Sequence, residues 1–271
     1  MNESTRAHAR LTARDLGGRL DTIEGPAGRP MEVWVGRRTK ARDPYALVIH
    51  FHGAAWVAQQ SVAALNDGTV AAVLNLGAGS GVYDRSFADP AAFDSLLASV
   101  DRAVTTSLGV ATHAGRITLS GFSAGHGAIR RILREPRHRD RVSGVLLLDG
   151  MHTSYVPEGR VFALGGALDT NNLTAFADFA RLAIQGKTRF LVTHTEIFPG
   201  TFASTTETAD WLLRAVGLSR KPVLEWGPRG TQRLSLTRKG RFELQGYAGN
   251  SGPDHIDQYH AMPELLRALL R

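Results

Sequence analysis

Runs of apolar residues alternate with stretches of helical spacing along most of this chain. Tyr45–Phe51, Thr69–Leu76 and Val142–Leu148 are apolar almost throughout, the pattern of strands covered by helices on both faces. Ile117–Phe122 and Arg189–Thr193 are shorter runs of the same kind. Arg19–Glu24 and Met31–Arg37 flank a Gly25-Pro26 turn, and Gln232–Thr237 and Arg241–Tyr247 form a late pair of strands. Helices are predicted over Val57–Leu65, Ala124–Leu133, Asn171–Gln185 and Met262–Leu270. Another starts with Asp89 as N-cap and Pro90 in first position, with Phe93, Leu96, Leu97, Val100 and Val104 as its core stripe. Ser204 and Glu207 form a capping box that opens a helix through Val216, and Gly217 ends it. Strands alternating with helices predict an α/β fold with a mostly parallel, helix-covered sheet. Met1–Gly18 is predicted as a polar arm and residues 19–271 as a single domain. Gly150–Thr170 reads as a loop or small lid, and Ala248–Asp254 as a loop.

Composition narrows the classes. A chain of 271 residues, 43% hydrophobic and 21% charged, suits one large globular domain. The formal charge of +7 is carried by arginine, since only Lys40, Lys187, Lys221 and Lys239 are lysines. The densest cluster (Arg130, Arg131, Arg134, Arg137, Arg139 and Arg141) has no nucleic-acid motif or aromatic interleaving, so it reads as a solvated helix face and no nucleic-acid partner is expected. The absence of cysteine excludes disulfides, a thiol nucleophile and Cys-ligated zinc. The polar N-terminus and the lack of a long apolar stretch predict a soluble protein without a membrane span. It is placed in the cytoplasm by default, with secretion left open should a signal peptide have been removed.

Gly77-Ala78-Gly79-Ser80-Gly81 holds a G-x-G but lacks the third glycine, and no helix is predicted beside it, so no nucleotide cofactor is expected. His50 and His52 share a strand face, yet neither they nor His152 and His194 have ligand-spaced partners. No metal is expected either.

Candidate chemistry centres on Ile117-Thr118-Leu119-Ser120-Gly121-Phe122-Ser123-Ala124-Gly125. A strand, a G-x-S-x-G and a helix follow one another, the context of a nucleophile elbow. The turn forces its central residue into a strained conformation and demands small neighbours, here Gly121, Ala124 and Gly125. Ser123 is the candidate nucleophile. With 29 glycines in the chain such a motif can arise by chance, so it needs partners. A serine hydroxyl requires a base, and His255 and His260 are the late candidates. His255 directly follows the loop after the last strand and is preferred. The orienting acid belongs at a strand end. Asp149, after Val142–Leu148, is preferred over Glu196, one strand later, and Asp254 is too constrained beside His255. Oxyanion donors are expected from the amides of Ala124 and, in the loop His52-Gly53-Ala54-Ala55-Trp56, of Ala54, with Ala55 as alternative. Trp56 reads as a pocket wall. Tyr83, Phe87, Tyr155, Phe198 and Phe202 are further wall candidates, each equally a core residue. Thr201 and Ser204 are candidate substrate contacts.

With these residues assembled, the chain resembles the α/β-hydrolase superfamily over residues 45–271, through His52-Gly53-Ala54, Gly121-Phe122-Ser123-Ala124-Gly125, Asp149 and His255. The resemblance implies an α/β-hydrolase fold: a mostly parallel eight-stranded sheet with helices on both faces and little or no cap domain. It also implies a serine hydrolase that cleaves a carboxylic ester of a small-molecule or acyl substrate through an acyl-enzyme. An amidase, peptidase or acyltransferase with the same triad, and a non-catalytic binding protein on the same fold, are the alternatives. An acid at Asp149 follows a minority variant of the family, because the acid usually comes after the penultimate strand.

Overall fold

The apolar runs become the centre of one large sheet. The computed structural model describes residues 7–41 and 44–271, so the first six residues of the predicted arm lie outside the described residues. In chain order the elements are β1 (Arg19–Glu24), β2 (Pro30–Val35), β3 (Tyr45–Phe51), α1 (Ala55–Ala63), β4 (Val70–Leu74), α2 (Ser80–Ser86), α3 (Ala91–Leu108), β5 (Ala114–Phe122), α4 (His126–Arg134), α5 (Pro136–Arg139), β6 (Val142–Leu148), β7 (Tyr155–Val156), β8 (Ala167–Leu168), α6 (Thr174–Ile184), β9 (Arg189–His194), α7 (Thr205–Ala215), β10 (Pro222–Trp226), β11 (Gln232–Lys239), β12 (Phe242–Tyr247), α8 (Gly252–His260) and α9 (Met262–Leu270).

The sheet runs β1-β2-β4-β3-β5-β6-β9-β12-β11-β10. The stretch from β4 to β12 is parallel, with antiparallel pairs at both edges. The mostly parallel, helix-covered architecture is therefore present, but with ten strands in place of eight. The extra count comes from β10 and β11, which continue past β12 as a hairpin through Arg229 (φ 55°) and Gly230 (φ 73°). β10 itself escaped the sequence reading because it is short, begins at a proline and buries little: Leu224 and Trp226 are 76% and 77% exposed.

Successive residues of β3 point to opposite faces. Leu47, Ile49 and Phe51 enter the core beneath α3, α4 and α6, whereas Val48 enters a second core with α1, α8 and α9. The Ser204 capping box forms as expected, with Ser204 Oγ accepting from the Glu207 amide and the Glu207 carboxylate accepting from the Ser204 amide. Gly150–Thr170 contains the two-stranded ribbon of β7 and β8. The loop at Gly77–Gly81 does lead into a helix, α2, contrary to the sequence expectation. Its seven residues, S-G-V-Y-D-R-S, are too few and too polar to show a helical stripe. No helix among the described residues is long and apolar enough to cross a membrane.

The arginine cluster also differs from a uniformly solvated face. Arg130 is nearly buried and donates twice to Asp84 of α2, at 3.1 and 2.8 Å, which ties α4 to α2. Arg137 pairs with Asp94 of α3 at 3.0 Å.

Candidate active site

The elbow forms where β5 ends. Ser123 adopts φ 47°, a left-handed conformation costing about 1–3 kcal/mol at a non-glycine residue. Its neighbours explain the glycines by close approach. A Cβ on Gly125 would collide with the Phe51 carbonyl of β3, and one on Gly121 would sit 3.0 Å from Ile129 Cδ1. A Cβ on Gly150 would lie 2.6 Å from the Ser123 carbonyl and 2.8 Å from its nitrogen. The chain just past Asp149 is therefore pressed against the elbow. Ala124 lies in the first turn after Ser123, where amides lack an intrahelical acceptor.

Asp149 ends β6, also with positive φ (44°), and is 1% exposed. Its Oδ2 lies 2.7 Å from His255 Nδ1. Three donors fix the carboxylate: the Thr195 amide at 2.9 Å, Thr195 Oγ1 at 2.6 Å and Thr205 Oγ1 at 2.6 Å. Burial pushes the Asp149 carboxyl up, but the hydrogen bond and charge of His255, with the two threonine hydroxyls, outweigh it and bring it down to about 2. His255 sits in the first turn of α8, not in a loop, and its ring lies 4.5 Å from Phe122. Glu196 is exposed, and its amide donates to the Gly249 carbonyl. His260 accepts from the Leu11 amide at 3.1 Å and stands 5.7 Å from the Trp56 ring. Asp254 caps α8 through Ser251. Of the predicted acids and bases, the fold thus brings Asp149 and His255 together, with Gly150 against Ser123 and Phe122 against the His255 ring, and pairs Glu196, His260 and Asp254 with other groups. Ser123 Oγ is not hydrogen-bonded to His255, and the contact between nucleophile and base tightens on substrate docking in many hydrolytic sites.

Ala54 caps the start of α1. The preceding loop is locked from below: His52 (φ 73°) bonds through Nδ1 to Tyr83 Oη at 2.9 Å, and Tyr259 Oη donates to the Ala54 carbonyl at 2.8 Å. A Cβ on Gly53 would strike the Tyr259 ring at 2.5 Å. Tyr83 therefore supports the loop and is no pocket wall. Phe87 is core, Tyr155 is buried with its hydroxyl on Glu207, and Phe198 is exposed.

A cavity of about 760 Å³ opens at Ser123, lined by Ser80, Ala124, His126, Arg130, His152 and Phe202, among others. Thr201 lines it too, whereas Ser204 is absorbed by its capping role. A comparable cavity between β1 and α3, about 710 Å³, contains no histidine. His126 escaped the sequence reading, and His152 was weighed there only as a metal ligand. Each follows a candidate residue by three positions, Ser123 and Asp149 respectively, and that spacing was the only available signal. The His126 Nδ1–H donates to the Ser123 carbonyl at 2.8 Å. His152 Nδ1 reaches the Ala203 carbonyl at 3.1 Å.

A second serine–imidazole pair lies inside the sheet. His50 and Ser120 are register partners on β3 and β5, with Nδ1 and Oγ 3.0 Å apart and both residues 0% exposed. His50 Nε2 donates to the His52 carbonyl at 2.8 Å.

Three buried imidazoles carry a pH prediction. Burial is the main force lowering His50 and His126 to about 3 and His194 to about 4. Arg220, whose Nη1 lies 2.7 Å from His194 Nε2, adds to the last. Below the ordinary value of 6.5 the unfolded chain binds protons that the folded one refuses, so stability falls as pH falls. At pH 5 each imidazole removes about 2 kcal/mol, about 6 kcal/mol together. That is a large part of a typical 5–15 kcal/mol. The melting temperature is expected to drop by about 15 °C between pH 7 and pH 5, as read by circular dichroism. A flat profile over that range would refute the assignment of three neutral buried imidazoles.

No protein-family model matches the chain, and no curated protein matches it. Among solved structures, a mutant of the feruloyl esterase module from Clostridium thermocellum, complexed with sinapinate, is similar at 12% identity, over 98% of this chain and 98% of that one, with a TM-score of 0.51. Est1E from Butyrivibrio proteoclasticus (10% identity, 93% and 99% coverage, TM-score 0.44) and an esterase from Pyrobaculum calidifontis (16%, 93% and 83%, 0.47) are also similar. With its strand order and the full-length likeness to the feruloyl esterase module, the chain has the α/β-hydrolase fold.

Proposed function

We propose that the protein is a serine hydrolase of carboxylic esters, with Ser123 as nucleophile, His255 as base and Asp149 as orienting acid. The carrying observation is the Asp149–His255 bond of 2.7 Å, held where the backbone after Asp149 abuts Ser123. As Ser123 Oγ attacks the ester carbonyl carbon, its proton passes to His255 Nε2. The Nδ1–H faces Asp149, which fixes the tautomer and stabilises the imidazolium. The oxyanion is bound by the amides of Ala124 and Ala54. Collapse expels the alcohol, which takes the proton from His255. Water then repeats the sequence on the acyl-Ser123 and releases the acid.

The buried pair His50–Ser120 has a suitable tautomer for taking a serine proton. It has no carboxylate on the imidazole and no exposed atom for a substrate to reach, so its role is to tie β3 to β5.

Exposure to a fluorophosphonate, followed by intact-mass measurement and peptide mapping, tests the reading. One stoichiometric adduct on Ser123 is expected. An adduct on Ser120, or none on folded protein, would overturn it.

A further inference from the structure

The segment at residues 8–11 runs along the back of the helix that carries His255. His8 Nδ1 lies 2.5 Å from Asp257 Oδ2. Arg10 Nε donates to Asp257 Oδ1 at 3.0 Å, and its Nη2 to the Pro253 carbonyl at 3.1 Å. The Leu11 amide donates to His260 Nδ1 at 3.1 Å. Leu11 and Leu16 then pack into the core shared by α1, α8 and α9, and Trp34 Nε1 donates to the Gly17 carbonyl. The predicted arm is thus pinned to the domain at residues 8–11 and again at residues 16–17.

In a helix, residues two apart lie roughly 200° from each other and residues four apart share a side. Asp257 therefore faces away from His255, and Tyr259 lies on the His255 side. The front of α8 is fixed by His255 on Asp149 and by Tyr259 on the Ala54 carbonyl, with the Tyr259 ring stacked 4.9 Å from Phe122. Its back is fixed by the strap. α8 has nine residues, too few to hold a rigid position unaided, and follows a loop containing Gly249 at φ 130°. The Asp257 side chain is 4% exposed. Taking away a cation from so buried a carboxylate draws water to it and loosens the helix. His8, Asp254 and Asp257 have the spacing of a cation site, and Arg10 supplies positive charge there.

We propose that residues 8–11 form a strap that positions His255 against Asp149 and Ser123, with Arg10 and Asp257 as positioning residues. This rests on the reading of His255 as the base. The charged and titratable groups facing His255 are Asp149 at the end of β6, His152 beyond it, and His52 after β3. Asp254 adjoins it on α8.

Arg10→Ala and Asp257→Asn in the full chain test the proposal. Each is expected to lower kcat about tenfold with KM within about twofold, as misplacing a reacting group by a fraction of an ångström does. Arg10→Lys, which keeps the cation on Asp257, should restore part of kcat. A variant that merely lost stability would lose active protein, without this split between kcat and KM per folded molecule and without rescue by lysine. If Arg10→Ala fails to fold, Arg10→Gln carries the same expectation. Unchanged kcat in folded variants, with wild type labelled on Ser123 by a fluorophosphonate, would overturn the strap and leave the hydrolase reading intact. A wild type that neither labels nor hydrolyses would overturn both.

Discussion

Replacing Ser123 with alanine is expected to cut turnover of a simple carboxylic ester by about 10⁴-fold or more. The magnitude follows from the division of work in the site. Without Oγ there is no acyl-enzyme, and only binding and the Ala124 and Ala54 amides remain to assist water. Fold is not at stake, because the serine side chain makes no hydrogen bond that the sheet needs. Its left-handed backbone at φ 47° is imposed by the packing of Gly125 on Phe51 and Gly150 on Ser123, and alanine inherits it. The check is steady-state hydrolysis of a chromogenic ester alongside a thermal melt. Retained turnover would refute Ser123 as nucleophile, whereas Ser120→Ala should leave an active enzyme if it folds.

Asp149→Asn should cost about as much, on the order of 10⁴-fold in kcat, while Glu196→Gln should stay within about twofold. The carboxylate does more than neutralise charge. Its Oδ1 accepts from the Thr195 amide and the Thr205 hydroxyl, and its Oδ2 accepts from the Thr195 hydroxyl while facing His255 Nδ1. An amide in its place must turn a nitrogen toward either those donors or the imidazole. In the second case His255 takes the tautomer with its proton on Nε2, and it can no longer accept from Ser123. Kinetics of both variants, with folding verified by circular dichroism, separates the two carboxylates. Equal losses, or a loss confined to Glu196→Gln, would remove Asp149 from the mechanism.

Much of this fold was legible because its strands are buried on both faces. β3 and β6 coincide with their apolar runs, and α9 with its helical pattern. The elbow was readable from small residues, of which Gly125 turns out to serve a close backbone contact with Phe51 and Gly121 a close approach to the Ile129 side chain. The weaker readings share a cause. α2 and the start of α8 are short, polar and glycine-rich, so periodicity had nothing to register. For α8 a signal was available in Ser251-Gly252-Pro253-Asp254, a capping box followed by a helix. The hairpin strand β10 buries too little to show alternation. No local pattern can reveal that Arg10 meets Asp257, 247 positions away. That contact exists because the fold packs α8 and the segment at residues 8–11 on the same side of the sheet, beside α1 and α9.

His52, Ser123 and Asp149 each stand just beyond, or at the end of, a central parallel strand, and each has positive φ. Their positions are therefore written into the main chain, held by the sheet beneath. The cavity, by contrast, takes its lining from segments between strands, such as Ser80, His152, Thr201 and Phe202. On the proposed mechanism, the reacting groups and most of the cavity wall thus occupy separate layers of the molecule. A designer could exchange the Thr201–Phe202 or Ser154–Glu158 segments to admit a different substrate without retuning the reacting groups, and the same modularity would let selection explore new substrates from a fixed catalytic platform.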